Sequence, residues 1–113
     1  MKELSFIIRP DRLEKVKNIL IDKFTCGGMT VSSVMGCGNQ KGFSDEYVGV
    51  RSNVNLLPKI KIDVIVRDED MEKIIADICE EIPIGHSGDG KIIVKDVLDV
   101  VRMRTKEHGE AAI

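Results

Sequence analysis

The chain has 113 residues (12.6 kDa), a formal net charge of −2 and a pI near 5.7, with 42% apolar and 32% charged residues. These values suit one compact domain over residues 1–113 and exclude general disorder. They also lack the basic excess of a dedicated nucleic-acid binder, so no nucleic-acid partner is expected. No window approaches the ~18 consecutive apolar residues of a membrane span. The opening MKELSFIIRPDR returns to charge too soon for a signal peptide, so a cytoplasmic location is expected. Cys26, Cys37 and Cys79 include no CxxC pair and read as reduced thiols. With no Trp and 4% aromatics, a base-stacking platform is poorly supplied.

In chain order, residues 3–9 (ELSFIIR) form an apolar, β-branched run of strand length, broken by Pro10-Asp11. Pro fits a first helical turn, and Asp11 suits the positive end of the helix dipole. Leu13, Val16, Lys17, Leu20 and Phe24 then recur at helical spacing until Gly27-Gly28, where the helix is expected to stop. Residues 29–35 read as a second strand. Residues 59–66 (KIKIDVIV) form the clearest strand, alternating Ile60, Ile62, Val64 and Val66 against Lys59, Lys61, Asp63 and Ile65. After the acidic Asp68-Glu69-Asp70, Met71, Ile74, Ile75 and Ile78 mark a second helix to about Glu81, closed by Pro83 and Gly85. Residues 91–95 read as a fourth strand, 97–104 as a short strand or turn, and 105–113 as a polar tail.

The two halves repeat. Ile7-Ile8-Arg9-Pro10-Asp11-Arg12-Leu13-Glu14-Lys15-Val16 aligns without gaps to Ile65-Val66-Arg67-Asp68-Glu69-Asp70-Met71-Glu72-Lys73-Ile74. The alignment reflects duplication or the convergence of two amphipathic helices. The order βαββαβ defines an α+β fold, the ferredoxin-like double split-βαβ plait, with both helices on one face of an antiparallel sheet. Between strands 2 and 3 lies a long segment, 37–57, without sustained periodicity. Loops of this length inside a compact domain usually carry function.

Three features bear on chemistry. Gly36-Cys37-Gly38-Asn39-Gln40-Lys41-Gly42 follows a strand but lacks the spacing of a dinucleotide fingerprint and opens no helix. Gly85-His86-Ser87-Gly88-Asp89-Gly90-Lys91 is a turn entering a strand: either an ordinary Asp-Gly turn, or one whose backbone N–H groups approach an anion beside Lys91. Arg102-Met103-Arg104 on a strand would present two guanidinium groups on one face, either as phosphate ligands or as plain edge charges. Together they suit a polyphosphate. Cys37 and His86 read as a passive thiol and a turn residue before they read as metal or redox groups. No Ser/His/Asp or Cys/His arrangement is present, so no enzyme activity beyond slow, incidental hydrolysis of such a ligand is expected.

The chain resembles the PII nitrogen-regulatory signal-transduction proteins over essentially its whole length. The matching blocks are Ile8-Arg9-Pro10, Gly28-Met29-Thr30-Val31, Gly36–Gly42, Leu57-Pro58-Lys59-Ile60-Lys61-Ile62, Gly88-Asp89-Gly90-Lys91-Ile92, Arg102-Met103-Arg104-Thr105 and Glu110-Ala111-Ala112-Ile113. The resemblance implies a homotrimer that binds ATP or ADP in the clefts between subunits. It also implies 2-oxoglutarate held with Mg²⁺ and ATP, and a partner-binding T-loop at 37–57. Carried over by position, Thr30, Gly36, Gly38, Gln40, Gly88, Asp89, Gly90, Lys91, Arg102 and Arg104 would line the nucleotide site, with Cys37 and Lys41 also counted among the cofactor-binding positions. Ile7, Met29 and Val64 would flank the adenine. Gln40, Gly42, Lys59 and Gly88 would receive 2-oxoglutarate, with Gln40 as the Mg²⁺ ligand. Tyr47, Arg51 and Ser52 would meet partners, which the resemblance implies to be an ammonium transporter or a nitrogen-assimilation enzyme. Any membrane association would run through such a transporter.

The departures from the pattern are specific. Ser52 stands where some members carry a uridylylated tyrosine, and Val50 where others carry a phosphorylated serine. Asn39 replaces a usual Arg, and Ile84-Gly85-His86 replaces a usual Thr-Gly-Lys. The segment near residues 25–27 is about one residue longer than usual. These changes remove basic contacts and leave open a divergent adenylate sensor for ADP or AMP, without a 2-oxoglutarate response and serving carbon or other metabolism.

Overall fold

A computed structural model describes residues 1–26, 28–37, 56–86 and 88–113. The chain alternates in β1 (Lys2–Ile8), sending Leu4, Phe6 and Ile8 into the core. Pro10 then opens a helical segment in three parts: a 3-10 turn (Pro10–Arg12), α1 (Leu13–Asn18) and a π-helical turn (Ile19–Lys23). The sequence predicts a stop at Gly27-Gly28, but the segment ends earlier. Thr25 adopts a left-handed φ of 53°, and its hydroxyl donates to the Phe24 carbonyl at 2.7 Å. The backbone N–H of Cys26 returns to Leu20 O at 2.9 Å and closes the turn.

The remaining elements are β2 (Met29–Gly36), β3 (Leu57–Val66), α2 (Asp68–Glu81) and β4 (Gly90–Asp96), followed by a 3-10 turn (Gly109–Ala112). The first turn of α2 carries Asp68, Glu69 and Asp70, where the helix dipole favours negative charge. The N-terminal amine of Met1 lies 3.0 Å from the Asp68 carboxylate. β3 begins two residues before the expected strand, because Leu57 pairs with Gly36 and Pro58 with Met35. Leu57 therefore belongs to the sheet, while residues 38–55 of the expected loop at 37–57 lie outside the described residues.

The strands pair antiparallel in the order β2-β3-β1-β4, the arrangement the βαββαβ reading requires. One face of the sheet meets both helices. There Leu4, Phe6, Ile8, Ile62, Val64 and Val66 pack against Val16, Ile19 and Leu20 of the first helical segment and Ile74, Ile78 and Ile82 at α2. The register places Lys59, Lys61, Asp63, Ser5, Ile7, Lys91 and Ile93 on the opposite, open face. Buried Ser5 donates its hydroxyl to Asp63 there, which satisfies a polar group that would be costly to bury alone. Among the described residues no helix is long and apolar enough to cross a membrane.

Residues 97–104 form no strand. Val101 makes a single antiparallel bridge to His108, and Lys106 turns the chain with a φ of 63°. This corrects the expectation that Arg102 and Arg104 project from one face of a strand.

Candidate functional site

A cleft of about 510 Å³ opens on the helix-free face of the sheet, at the end where β2 stops and β4 begins. Its floor is the cross-strand row Lys61, Ile7 and Lys91, contributed by β3, β1 and β4. Val34, Met35, Gly36 and Cys37 close one side with Leu57 and Lys59, while Gly88, Gly90 and Ile93 close the other. Three lysine side chains, Lys59, Lys61 and Lys91, thus gather beside the apolar side chains of Ile7, Val34 and Ile93 within a chain of net negative charge. Such a pocket can hold an anionic group at its basic end and an apolar or planar group on Ile7, Val34 and Ile93.

The wall formed by residues 84–90 has its own order. Lys59 Nζ donates to the Gly88 carbonyl at 2.9 Å, tying β3 to the turn before β4. The turn needs glycine at two points in particular. Gly88 takes a φ of +92°, and Gly90, at +120°, pairs with Ile8 with no room for a side chain beside Ile7 O. Lys61 Nζ lies 3.9 Å from the Asp63 carboxylate. No acidic side chain among the described residues pairs with Lys91 within salt-bridge distance.

Of the residues expected at a ligand site, Ile7, Gly36, Cys37, Lys59, Gly88, Gly90 and Lys91 line this cleft. Thr30 shares the open face but sits opposite Asp63, outside the lining. Met29 and Val64 pair with each other on the helix-facing side; Val64 is buried and Met29 packs against the core, so neither side chain reaches the cleft. The Asp89 carboxylate turns back onto its own loop, accepting from the backbone N–H groups of Ile84, Gly85 and His86. Arg102 is held within the tail, its guanidinium 2.9 Å from Glu107 and 3.4 Å from Ile113 O. Arg104 follows in the same turn, and neither arginine lines the cleft of this single chain. Gly38, Gln40, Lys41, Gly42, Tyr47, Arg51 and Ser52 lie outside the described residues, as do Asn39 and Val50.

Lys61, Val34, Met35, Leu57 and Ile93 are cleft residues that the sequence reading did not select. The signal for Lys61 was present: in KIKIDVIV the period of two puts it on the same face as Lys59.

Comparison with known proteins agrees with this architecture. The sequence model of the family described as "Nitrogen regulatory protein P-II" matches residues 1–107. "Nitrogen regulatory protein P-II 2" of Methanothermobacter thermautotrophicus is 45% identical over 113 residues, covering 100% of this chain and 97% of the relative. "Nitrogen regulatory protein P-II" of Pasteurella multocida is 43% identical and "Nitrogen regulatory protein GlnK" of Escherichia coli 41%, each over the full length of both chains.

Proposed function

The chain belongs to the nitrogen regulatory protein P-II family and is a P-II signal-transduction protein; from that premise we propose that its basic cleft binds the phosphates of ATP or ADP. The observation that carries this reading is the convergence of Lys59, Lys61 and Lys91 with the Gly88–Gly90 turn. A polyphosphate is the ligand class that uses several cations and close backbone approach at once. The apolar lining at Ile7, Val34 and Ile93 suits the remainder of a nucleotide.

The single chain leaves Arg102 and Arg104 away from the cleft, which fits a site completed between copies. We therefore include a homotrimer in the proposal, with the tail of one subunit meeting the cleft of the next. 2-Oxoglutarate and Mg²⁺ belong to the same reading: Lys59 has the charge to pair a carboxylate, and an amide oxygen such as that of Gln40 is a hard ligand suited to Mg²⁺. Cys37 lines the cleft, which supports a role for the segment 37–57 in reporting the bound state to partners, proposed to be an ammonium transporter or a nitrogen-assimilation enzyme. Coupling of this kind is reciprocal, so a partner that prefers one nucleotide state shifts nucleotide affinity by the same factor. The role is regulatory, with any ATP turnover incidental, and the proposed compartment is the cytoplasm.

The test is calorimetric titration of ATP, ADP and AMP in Mg²⁺, with and without saturating 2-oxoglutarate. Tighter ATP binding in its presence supports the full reading. Adenylate binding indifferent to 2-oxoglutarate favours the divergent sensor suggested by Asn39 and Ile84-Gly85-His86. Absence of adenylate binding refutes both.

A further inference from the structure

The loop that walls the cleft contains an anion of its own. One carboxylate oxygen of Asp89, Oδ2, accepts backbone hydrogen bonds from Ile84 at 3.1 Å, Gly85 at 2.9 Å and His86 at 3.1 Å. The N–H of Asp89 returns to the His86 carbonyl at 3.2 Å and closes the loop. Three consecutive N–H groups converging on one oxygen form the kind of nest that otherwise captures a phosphate or carboxylate from solution. Partial desolvation pushes the Asp89 carboxyl up, but the three donors and the nearby charge of Arg9 together hold it below the ordinary carboxylate range. The side chain is therefore ionised at neutral pH and fills the nest as an anion.

Two consequences follow from the geometry. The amides of residues 84–86 are already used, so an anionic ligand in the cleft is left to the lysines and the Gly88–Gly90 backbone. The residue before Asp89, Gly88, offers its carbonyl to Lys59 Nζ at 2.9 Å, so whatever fixes the loop also fixes where that ammonium group rests.

We propose that Asp89 is a positioning residue for the cleft: its carboxylate fills the 84–86 nest and thereby holds Gly88 and Lys59 in place for a ligand's phosphates, which it does not itself touch. This rests on the reading that the cleft takes a nucleotide.

The test uses the full chain with Asp89→Ala and Asp89→Asn, the second keeping an oxygen acceptor in the nest. Three quantities are compared with the unaltered protein: hydrogen exchange at the Ile84, Gly85 and His86 amides, melting temperature, and calorimetric affinity for Mg-ATP and for adenosine. In D89A we expect the three amides to lose protection and ATP affinity to fall about tenfold, the scale of a lost charge-assisted hydrogen bond. Adenosine affinity and melting temperature stay close to those of the unaltered protein, and D89N recovers most of the loss. Unchanged ATP affinity in D89A overturns the proposal while leaving nucleotide binding intact. Equal losses for ATP and adenosine, with a lowered melting temperature, overturn it in favour of a general folding role. If the unaltered protein binds no adenylate, the nucleotide reading fails and this inference fails with it.

Discussion

Lys59 Nζ lies 2.9 Å from the carbonyl of Gly88, joining the middle of the sheet to the turn that leads into its edge strand across the mouth of the basic cleft. The contact holds the ammonium group at the cleft and loses little when broken, since both partners reach solvent. Replacing Lys59 by Ala should therefore leave stability within about 1 kcal/mol of the parent, as for most partly exposed hydrogen bonds. Affinity for ATP should fall about tenfold or more, because a full positive charge leaves the site. Urea denaturation and calorimetry on the same preparation separate the two effects, and a large stability loss with intact ATP affinity would contradict this division of roles.

Gly90 is constrained by its backbone. A Cβ built on it would lie 2.2 Å from the Ile7 carbonyl oxygen, and its φ of +120° is one that side chains rarely adopt. The obstacle is main chain in β1, which cannot swing aside. Gly90→Ala should therefore destabilise the fold by about 2–4 kcal/mol, the range of forced backbone strain and overpacking. Gly85 provides the comparison. Its φ is +86°, but a Cβ there meets nothing within 4 Å. Gly85→Ala should cost only about 1–2 kcal/mol, the intrinsic penalty of the left-handed region. Equal midpoints in urea for the two variants would remove the steric argument.

Much of the architecture was legible because it depends on periodicity. Arg9 and Arg67, equivalent in the internal repeat, both stand as extended residues immediately before a helical segment, with ψ of 144° and 152°. Alternation in β3 separated the core residues Ile62, Val64 and Val66 from Lys59 and Lys61 on the open face. What stayed hidden depends on hydrogen bonding that no spacing encodes. The π turn at Ile19–Lys23 is one such feature; it holds more residues per turn than an α-helix and adjoins the segment read as about one residue longer than usual. The tail is another: the pattern of 97–104 allowed a strand, but Lys106 at positive φ and the Arg102–Glu107 pair fold it back instead. Strand parity also directs Met29 and Val64 toward the helices, so in the single chain both pack with the core and neither lines the cleft.

The core that supports the cleft is small, so its largest members carry much of the stability. Phe6 and Ile74 are completely buried, on β1 and α2 respectively. Phe6→Ala should cost about 3–5 kcal/mol and Ile74→Val about 0.5–1.5 kcal/mol, from lost transfer energy plus the cavity left behind. For a domain with a typical stability of about 5–15 kcal/mol, the first variant approaches the threshold of folding. Chemical denaturation monitored by circular dichroism checks both. A loss below about 1 kcal/mol for Phe6→Ala would mean that β1 is not the centre of the core.

The tail has a pH dependence whose sign can be worked out. The Asp99 carboxylate takes a hydrogen bond from His108 Nδ1 at 2.7 Å, and further ones from the backbone N–H groups of Gly109 at 3.0 Å and Val100 at 2.8 Å. The His108 contact is the chief influence lowering its pKa below the ordinary value of 3.8, against some desolvation and with the two backbone donors assisting. A carboxyl whose pKa is lower folded than unfolded binds more protons when unfolded, so its stabilisation is complete above the ordinary value and is lost as pH falls through the folded one. Docking of residues 99–113 should therefore weaken on acidification below about pH 4, where carboxylates protonate. Asp99→Ala should weaken it at neutral pH and flatten that acid limb. Amide exchange at Gly109, whose N–H also reaches Val100 O at 2.9 Å, reads the docking directly. Protection that is equal in the two proteins at pH 7, and falls with the same slope in acid, would exclude Asp99 as the residue that pins the tail.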